Sequence, residues 1–387
     1  MMENHEWQER LSPVSAQAPG GAEPPSGIAL CLSGGGYRAM LFHAGALWRL
    51  NELGFLSRLA RVSSVSGGSI IAAVLGMNWG KLDFDASGVA RRFEAAVLEP
   101  VRRMAAETID TASVLGGIFG FGTAAGRIRK AYERTLFGGA TLQDLPDTPR
   151  FVINATNVQS KALWRFSKPY MRDYRVGEVR NPRVSLALAV SASSAFPPFL
   201  SPVELKLNPE EFTPSTGQDL QFEPYTRRVL LTDGGVYDNL GLETAWKRCR
   251  TILVSDGGGD VPEEPEPSTG WVRHTYRVLT LIDGQVGALR KRLLIASYRM
   301  GLREGAYWGI RSDIENYQAP GALPCPVAET MALARTPTRL KALDAATQQR
   351  IINWGYAICD AAMRKHVTRE APAPSGFPYP ESGLGGG

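Results

Sequence analysis

Three segments of this 387-residue chain share one form: a short apolar run, a polar residue or two, then consecutive glycines. They are IALCLSGGG from Ile28, VLLTDGG from Val229 and TILVSDGGG from Thr251. An apolar run this short reads as a buried strand, and glycines at its end let the backbone come close to another group. In an open parallel sheet, ligands gather beyond the carboxyl ends of the strands. The pattern predicts one sheet edge at which all three turns face a single site.

The rest of the chain fits that frame. RVSSVS at 61–66 runs into SIIAAVLGM, FVINAT spans 151–156, and helical spacing appears at Met40, Ala44, Leu47 and Trp48, from Gly270 to Met300 and from Thr338 to Arg364. Strands alternating with helices make the class α/β, in one domain from residue 27 to 370. Residues 1–26 read as a flexible leader and 371–387 as a flexible Pro/Gly-rich tail, because neither has an apolar period. Segments 208–225 and 261–270 read as surface loops.

Composition narrows the function classes. Hydrophobic residues at 44% and charged residues at 21% are ordinary globular values and argue against wholesale disorder, collagen-like repetition and coiled coil. A net charge of +5 suits contact with anionic surfaces without calling for a nucleic acid polymer. Cys31, Cys249, Cys325 and Cys359 form no C-x-x-C pair, and the four histidines form no zinc spacing, so a reduced cytoplasmic protein without metal or cofactor is expected. The N-terminus lacks the basic and apolar regions of a signal peptide. The uncharged stretches 62–80 and 184–203 are interrupted by Ser, Gly or Pro and read as core rather than as membrane spans.

Two of these turns suggest chemistry. Ser33-Gly34-Gly35-Gly36-Tyr37-Arg38 follows a strand and opens a helix, so its amides would cradle an anion; taken alone, it reads as readily as a close-packed turn. In Arg61–Ser69, a sharp strand-to-helix elbow needs small residues two before and two after its serine. Ser63, Ser64 and Ser69 each have a bulky residue at one of these positions, whereas Ser66 has Ser64 and Gly68. The amide of Gly67 would then point at a carbonyl oxygen under attack. The competing reading is an ordinary Ser/Gly helix cap. A serine needs a base. His43 lies inside a helical pattern, His274 precedes one and His366 lies near the tail, while Asp233 ends an apolar strand at the same sheet edge. A carboxylate can act as base only in a dry pocket or in close contact with the hydroxyl.

In combination these residues resemble the patatin-like phospholipase family. The matching motifs are the G-G-G-x-R loop at Gly34–Arg38, the G-x-S-x-G elbow at Ser64–Gly68, the D-G-[GA] turn at Asp233–Gly235 and a Ser/Ala run before a proline turn at Ser191–Phe199. The resemblance implies a three-layer α/β/α fold with a central, mostly parallel sheet. It implies a Ser66–Asp233 dyad with no histidine, a covalent acyl-enzyme, and an oxyanion hole from Gly34, Gly35, Gly36 and Gly67 with Arg38 holding the loop. Ser64 departs from the family's usual glycine. Asp256 is the rival base, but it lacks the Asp-Asn-x-Gly continuation that follows Asp233.

The implied substrate is a membrane phospholipid or another lipid ester, met by peripheral contact, in a bacterial type of enzyme whose relatives include members switched on by an activator. Val114–Gly122, flanked by Arg102, Arg103, Arg127, Arg129 and Lys130, would serve as an interfacial lid. Arg290-Lys291-Arg292 reads as a solvated helix face. Two other readings stand: a soluble carboxylesterase or thioesterase using His274 or His366, and an inert anion- or lipid-binding module.

Overall fold

The structure is a computed structural model that describes residues 26–109, 121–198, 200–259 and 263–384. Its centre is a ten-stranded sheet. Strands β1 (Ile28–Leu32), β2 (Leu59–Val65), β3 (Arg150–Asn157), β9 (Thr251–Asp256) and β10 (Glu304–Gly309) run parallel in the order β10-β9-β1-β2-β3. Beyond β3 the sheet turns antiparallel through β4 (Ala162–Phe166), β5 (Tyr170–Asp173) and β6 (Gly177–Arg180). The remaining strands, β7 (Val203–Lys206) and β8 (Arg228–Asp233), pair with each other, and β8 also pairs antiparallel with β3.

The period-2 alternation of β1 shows how the layers form. Leu30 and Leu32 enter the larger core, under helices α1 (Gly36–Glu52), α2 (Gly67–Met77) and α3 (Leu186–Ser193). Ala29 and Cys31 face the smaller cluster on the other side, which the 29-residue helix α4 (Trp271–Arg299) covers through Leu294. Helix α5 (Ala345–His366) packs on α1 so closely that a Cβ on Gly355 would lie 1.9 Å from the Phe42 carbonyl oxygen, and one on Gly45 1.9 Å from that of Ile352. Beside this crossing, buried Asp360 accepts from Arg49 Nε at 2.9 Å and from Arg364 Nη2 at 2.7 Å, so its charge is fully partnered.

The fold departs from three sequence expectations. The last long helix begins at Ala345, where Asp344 caps it through the Thr347 amide, and residues 335–344 form a loop. The tail from 371 is docked through residue 384: Tyr379 packs edge-on against Trp48 with ring centroids 5.7 Å apart, Asn353 donates to the Tyr379 and Ser382 carbonyls, and Leu384 is buried. Single aromatic and apolar anchors hold it, and these leave no periodic trace. The strand that ends in Asp233 is antiparallel, not parallel. The leader, residues 1–25, and Val114–Gly120 of the expected lid lie outside the described residues. Among the described residues, no helix is long and apolar enough to cross a membrane, and all four cysteines are buried free thiols.

At the α1–α5 crossing neither backbone can retreat from an added methyl group. Gly355→Ala should therefore lower stability by about 2–3 kcal/mol, read as a fall in the urea midpoint at unchanged slope.

Candidate active site

Strands β2 and β8 occupy the same edge of β3 end to end. Val65 pairs with Asn154, and Asp233 pairs with the next residue, Ala155. The parallel strand and the antiparallel one thus point their carboxyl ends at each other. Ser66, one residue beyond β2, meets Asp233, the last residue of β8.

Ser66 sits at φ 51° and ψ −119°, a left-handed backbone that is strained for a side chain with a Cβ. The elbow is held on every side. The Ser66 amide donates to Ser193 Oγ at 2.9 Å, and Ser193 Oγ lies 2.9 Å from Ser69 Oγ, which donates to Ser64 Oγ at 3.0 Å. Ser64 therefore fits the elbow and adds a hydrogen bond that glycine would lack. Ser63 is saturated by Gly241, Asn154 and Thr244. The Ser66 side chain is a near enough polar neighbour of the Asp233 carboxylate to favour its charged form.

Asp233 is only 3% exposed. Burial pushes its pKa up to about 7, against the lowering by the Gly235 amide, which donates to Oδ1 at 2.7 Å, and by the Ser66 hydroxyl. Its amide donates to the Ala195 carbonyl at 3.0 Å, and the Gly234 amide donates to that of Ser193 at 3.2 Å. The Ser/Ala run at the end of α3 thus braces both Ser66 and Asp233.

The glycine loop after β1 lies against the elbow. A Cβ on Gly67 would fall 2.2 Å from the Gly36 carbonyl oxygen, and one on Gly34 would fall 3.2 Å from Ser66 Cβ. Gly34 spends its amide on the Asn239 carbonyl at 3.1 Å, so that amide does not face the site. The amides of Gly35, Gly36 and Gly67 have no acceptor among the described residues. Arg38 points away: its buried guanidinium donates to the Gly257 and Thr336 carbonyls and to Thr338 Oγ1. Burial lowers its pKa to about 10, which leaves it charged at neutral pH. The Tyr37 amide donates to the Arg339 carbonyl at 3.1 Å, so the loop at 335–344 clamps the glycine loop from outside.

The rival carboxylate is occupied. Asp256 forms an ion pair with Lys291 at 2.6 Å and accepts from Tyr307 Oη at 2.8 Å. Burial alone would raise its pKa, but these partners outweigh it and hold Asp256 below the usual carboxylate range. A polar cleft of about 420 Å³ opens beside Asp256, and Ser66 does not line it. Lys291 and Arg290, which lies 3.6 Å from Asp238, are thus engaged with the sheet edge rather than with solvent.

Among the described residues, no histidine reaches Ser66. His43 is fully buried between Ser255 Oγ at 2.8 Å and the Ser33 carbonyl at 2.9 Å, and burial lowers its pKa to about 4. His274 is exposed in the first turn of α4, and His366 packs edge-on against Tyr317. Among the described residues, no group of three His, Cys, Asp or Glu side chains could hold a metal ion. Sequence reasoning missed Ser193, Asn239 and the 336–339 loop. Of these, Ser193 had a signal in its place in the Ser/Ala run and Asn239 in the Asp-Asn-x-Gly continuation, whereas the 336–339 loop had none.

A family model described as patatin-like phospholipase matches residues 30–246, more than half of the chain. Among solved structures, human GIVD cytosolic phospholipase A2 in complex with methyl gamma-linolenyl fluorophosphonate aligns at 15% identity and a TM-score of 0.51, covering 87% of this chain and 57% of that one. Another structure of the human protein aligns at 14% identity and a TM-score of 0.39, over 67% of this chain and 48% of that one. VipD from Legionella pneumophila aligns at 15% identity and a TM-score of 0.37, over 89% of this chain and 68% of that one. This chain spans about half the length of the human protein, and at these identities the likeness is one of fold. No curated protein sequence matches.

The raised pKa of Asp233 has a measurable consequence for folding. The native state keeps this proton up to about pH 7, whereas the unfolded chain releases it near pH 4. Between those limits the folded state binds more protons, so stability falls as pH rises, by up to about 1.4 kcal/mol per pH unit for this group. The stability advantage of Asp233→Asn over wild type in urea unfolding should grow from pH 4 to pH 7 and then level off. An advantage independent of pH would show Asp233 ionised throughout.

Proposed function

The chain belongs to the patatin-like phospholipase family, and on that premise we propose that it is a serine lipid acyl hydrolase of phospholipase A type, cleaving carboxylic ester bonds of membrane phospholipids. The observation that carries this reading is the meeting of Ser66, at a left-handed elbow one residue beyond β2, with a buried carboxylate at the end of β8 whose pKa is about 7.

The chemistry follows from that geometry. Ser66 Oγ attacks the ester carbonyl as its proton passes to Asp233, a base whose pKa lies near the working pH. The tetrahedral oxyanion lies against the amides of Gly35, Gly36 and Gly67, and the positive end of the α2 dipole adds to their effect. Gly34 lets the loop approach the elbow, and Arg38 anchors the loop from behind. Collapse expels the lysolipid alkoxide, which takes the proton from Asp233 and leaves an ester on Ser66. Asp233 then accepts a proton from water as the water attacks that ester, and returns it to Ser66 Oγ as the acyl–oxygen bond breaks and the fatty acid departs.

Fatty-acid release from anionic phospholipid vesicles tests the reading, alongside labelling by an active-site-directed fluorophosphonate. Wild type should release and label. Ser66→Ala and Asp233→Ala should each lose about 10³-fold or more in rate, on the scale of removing one member of a catalytic unit. His274→Ala and His366→Ala should keep wild-type rates. The wild-type rate should fall as pH drops below about 7, because protonated Asp233 cannot take the serine proton. An enzyme that neither releases fatty acid nor labels at Ser66 is not a serine hydrolase.

A further inference from the structure

Helix α4 is amphipathic in the wrong direction for a helix that only serves its own domain. The face turned to the sheet is sparse: Leu294 and Ser297 are its buried residues, and Arg290 and Lys291 bind the acids of the sheet edge. The outward face is apolar. Counted in sevens from Val272, the first heptad position holds Val272, Leu279, Val286, Leu293 and, just past the helix end, Met300. The fourth position holds Thr275, Ile282, Leu289 and Ala296. The Val, Leu, Ile and Met side chains of this seam are 36–63% exposed, and Trp271 at its start is 80% exposed. Surface helices of a single domain turn such a stripe toward their own core, whereas a 3,4 spacing kept over four heptads is the seam of a coiled coil.

We propose that α4 pairs along this seam with α4 of a second copy of the chain, forming a two-fold helix pair. Covering the seam together with Trp271 and Val278 would bury nine large apolar side chains that are now 36–80% exposed, on the scale of the roughly 800 Å² per partner of a stable interface. Charge does not oppose the pairing. Of the cations on α4, Arg290 and Lys291 are matched by Asp238 and Asp256, and Arg277 lies 3.8 Å from Glu264. In a parallel pair Arg292 would stand opposite Ser297 and Gln285 opposite Arg290, so no like charges meet. A lipid surface fits the seam less well, because exposed cations flank it only at its two ends, Arg273 at the start and Arg292 and Arg299 near the finish, and none borders its middle.

The test is the solution mass of the full chain by light scattering behind size exclusion, for wild type, Leu289→Glu/Leu293→Glu and the control Arg273→Glu. Wild type and control should run at twice the 42.0 kDa chain mass, and the double variant at that mass with an unchanged circular dichroism spectrum. A monomeric wild type at micromolar concentration, or a double variant that stays dimeric, overturns the proposal. A monomeric wild type that floats with anionic phospholipid vesicles, and ceases to do so in the double variant, overturns it in favour of a lipid-docking face.

Discussion

The meeting of two strand ends on one edge of β3 is the constraint on which the site depends. A parallel strand delivers the serine and an antiparallel strand delivers the carboxylate, and adjacent β3 residues fix the gap between them. Backbone pairing sets that gap, so it does not rely on flexible side chains reaching across a cleft. The register of β3 is in turn fixed by its pairing with β4 on the other edge. A one-residue slip would turn every side chain of the strand to the opposite face. The antiparallel half of the sheet, which holds no part of the elbow, therefore aligns Ser66 with Asp233.

Two Asp-Gly-Gly turns of nearly equal sequence come to opposite electrostatic ends. Asp233 has no cation for a partner, only an amide and a hydroxyl, and Asp283 adds a like charge, so desolvation dominates and the proton is held to about pH 7. Asp256 meets an ammonium and a phenol, and its charge is stabilised instead. The first state suits proton exchange near neutrality. The second suits a fixed anchor, and the turn after Asp256 serves as one, because its Gly257 accepts from Arg38 and donates to Ser33 at 2.8 Å.

Ser66 could be singled out in the sequence because an elbow excludes bulk two residues to either side, a rule written in side-chain size alone. Asp233 could be found by its place at the end of an apolar run. The direction of its strand could not, since alternation of apolar residues is the same read from either end. The spent amide of Gly34 was also out of reach, because which donor a loop uses depends on Asn239, some two hundred residues away. The false helical start at Thr338 has a simple cause: Leu340 and Leu343 have helical spacing, yet the true cap is Asp344. The docked tail illustrates the same limit, because Tyr379 and Leu384 act as isolated anchors and pattern analysis detects only repetition.

The clamp of Arg38 and Tyr37 by residues 336–339 bears on the order in which the protein is made. Elbow, base and glycine loop have all left the ribosome once residue 240 has emerged, but the segment that holds the loop follows about a hundred residues later. At about 5–20 residues per second, that is a delay of some 5–20 s. Through that interval the nascent chain carries Ser66 without the brace that shapes the glycine loop beside it. The cradle proposed to hold the oxyanion therefore takes its final shape only after residues 336–339 have emerged, well after the elbow and Asp233.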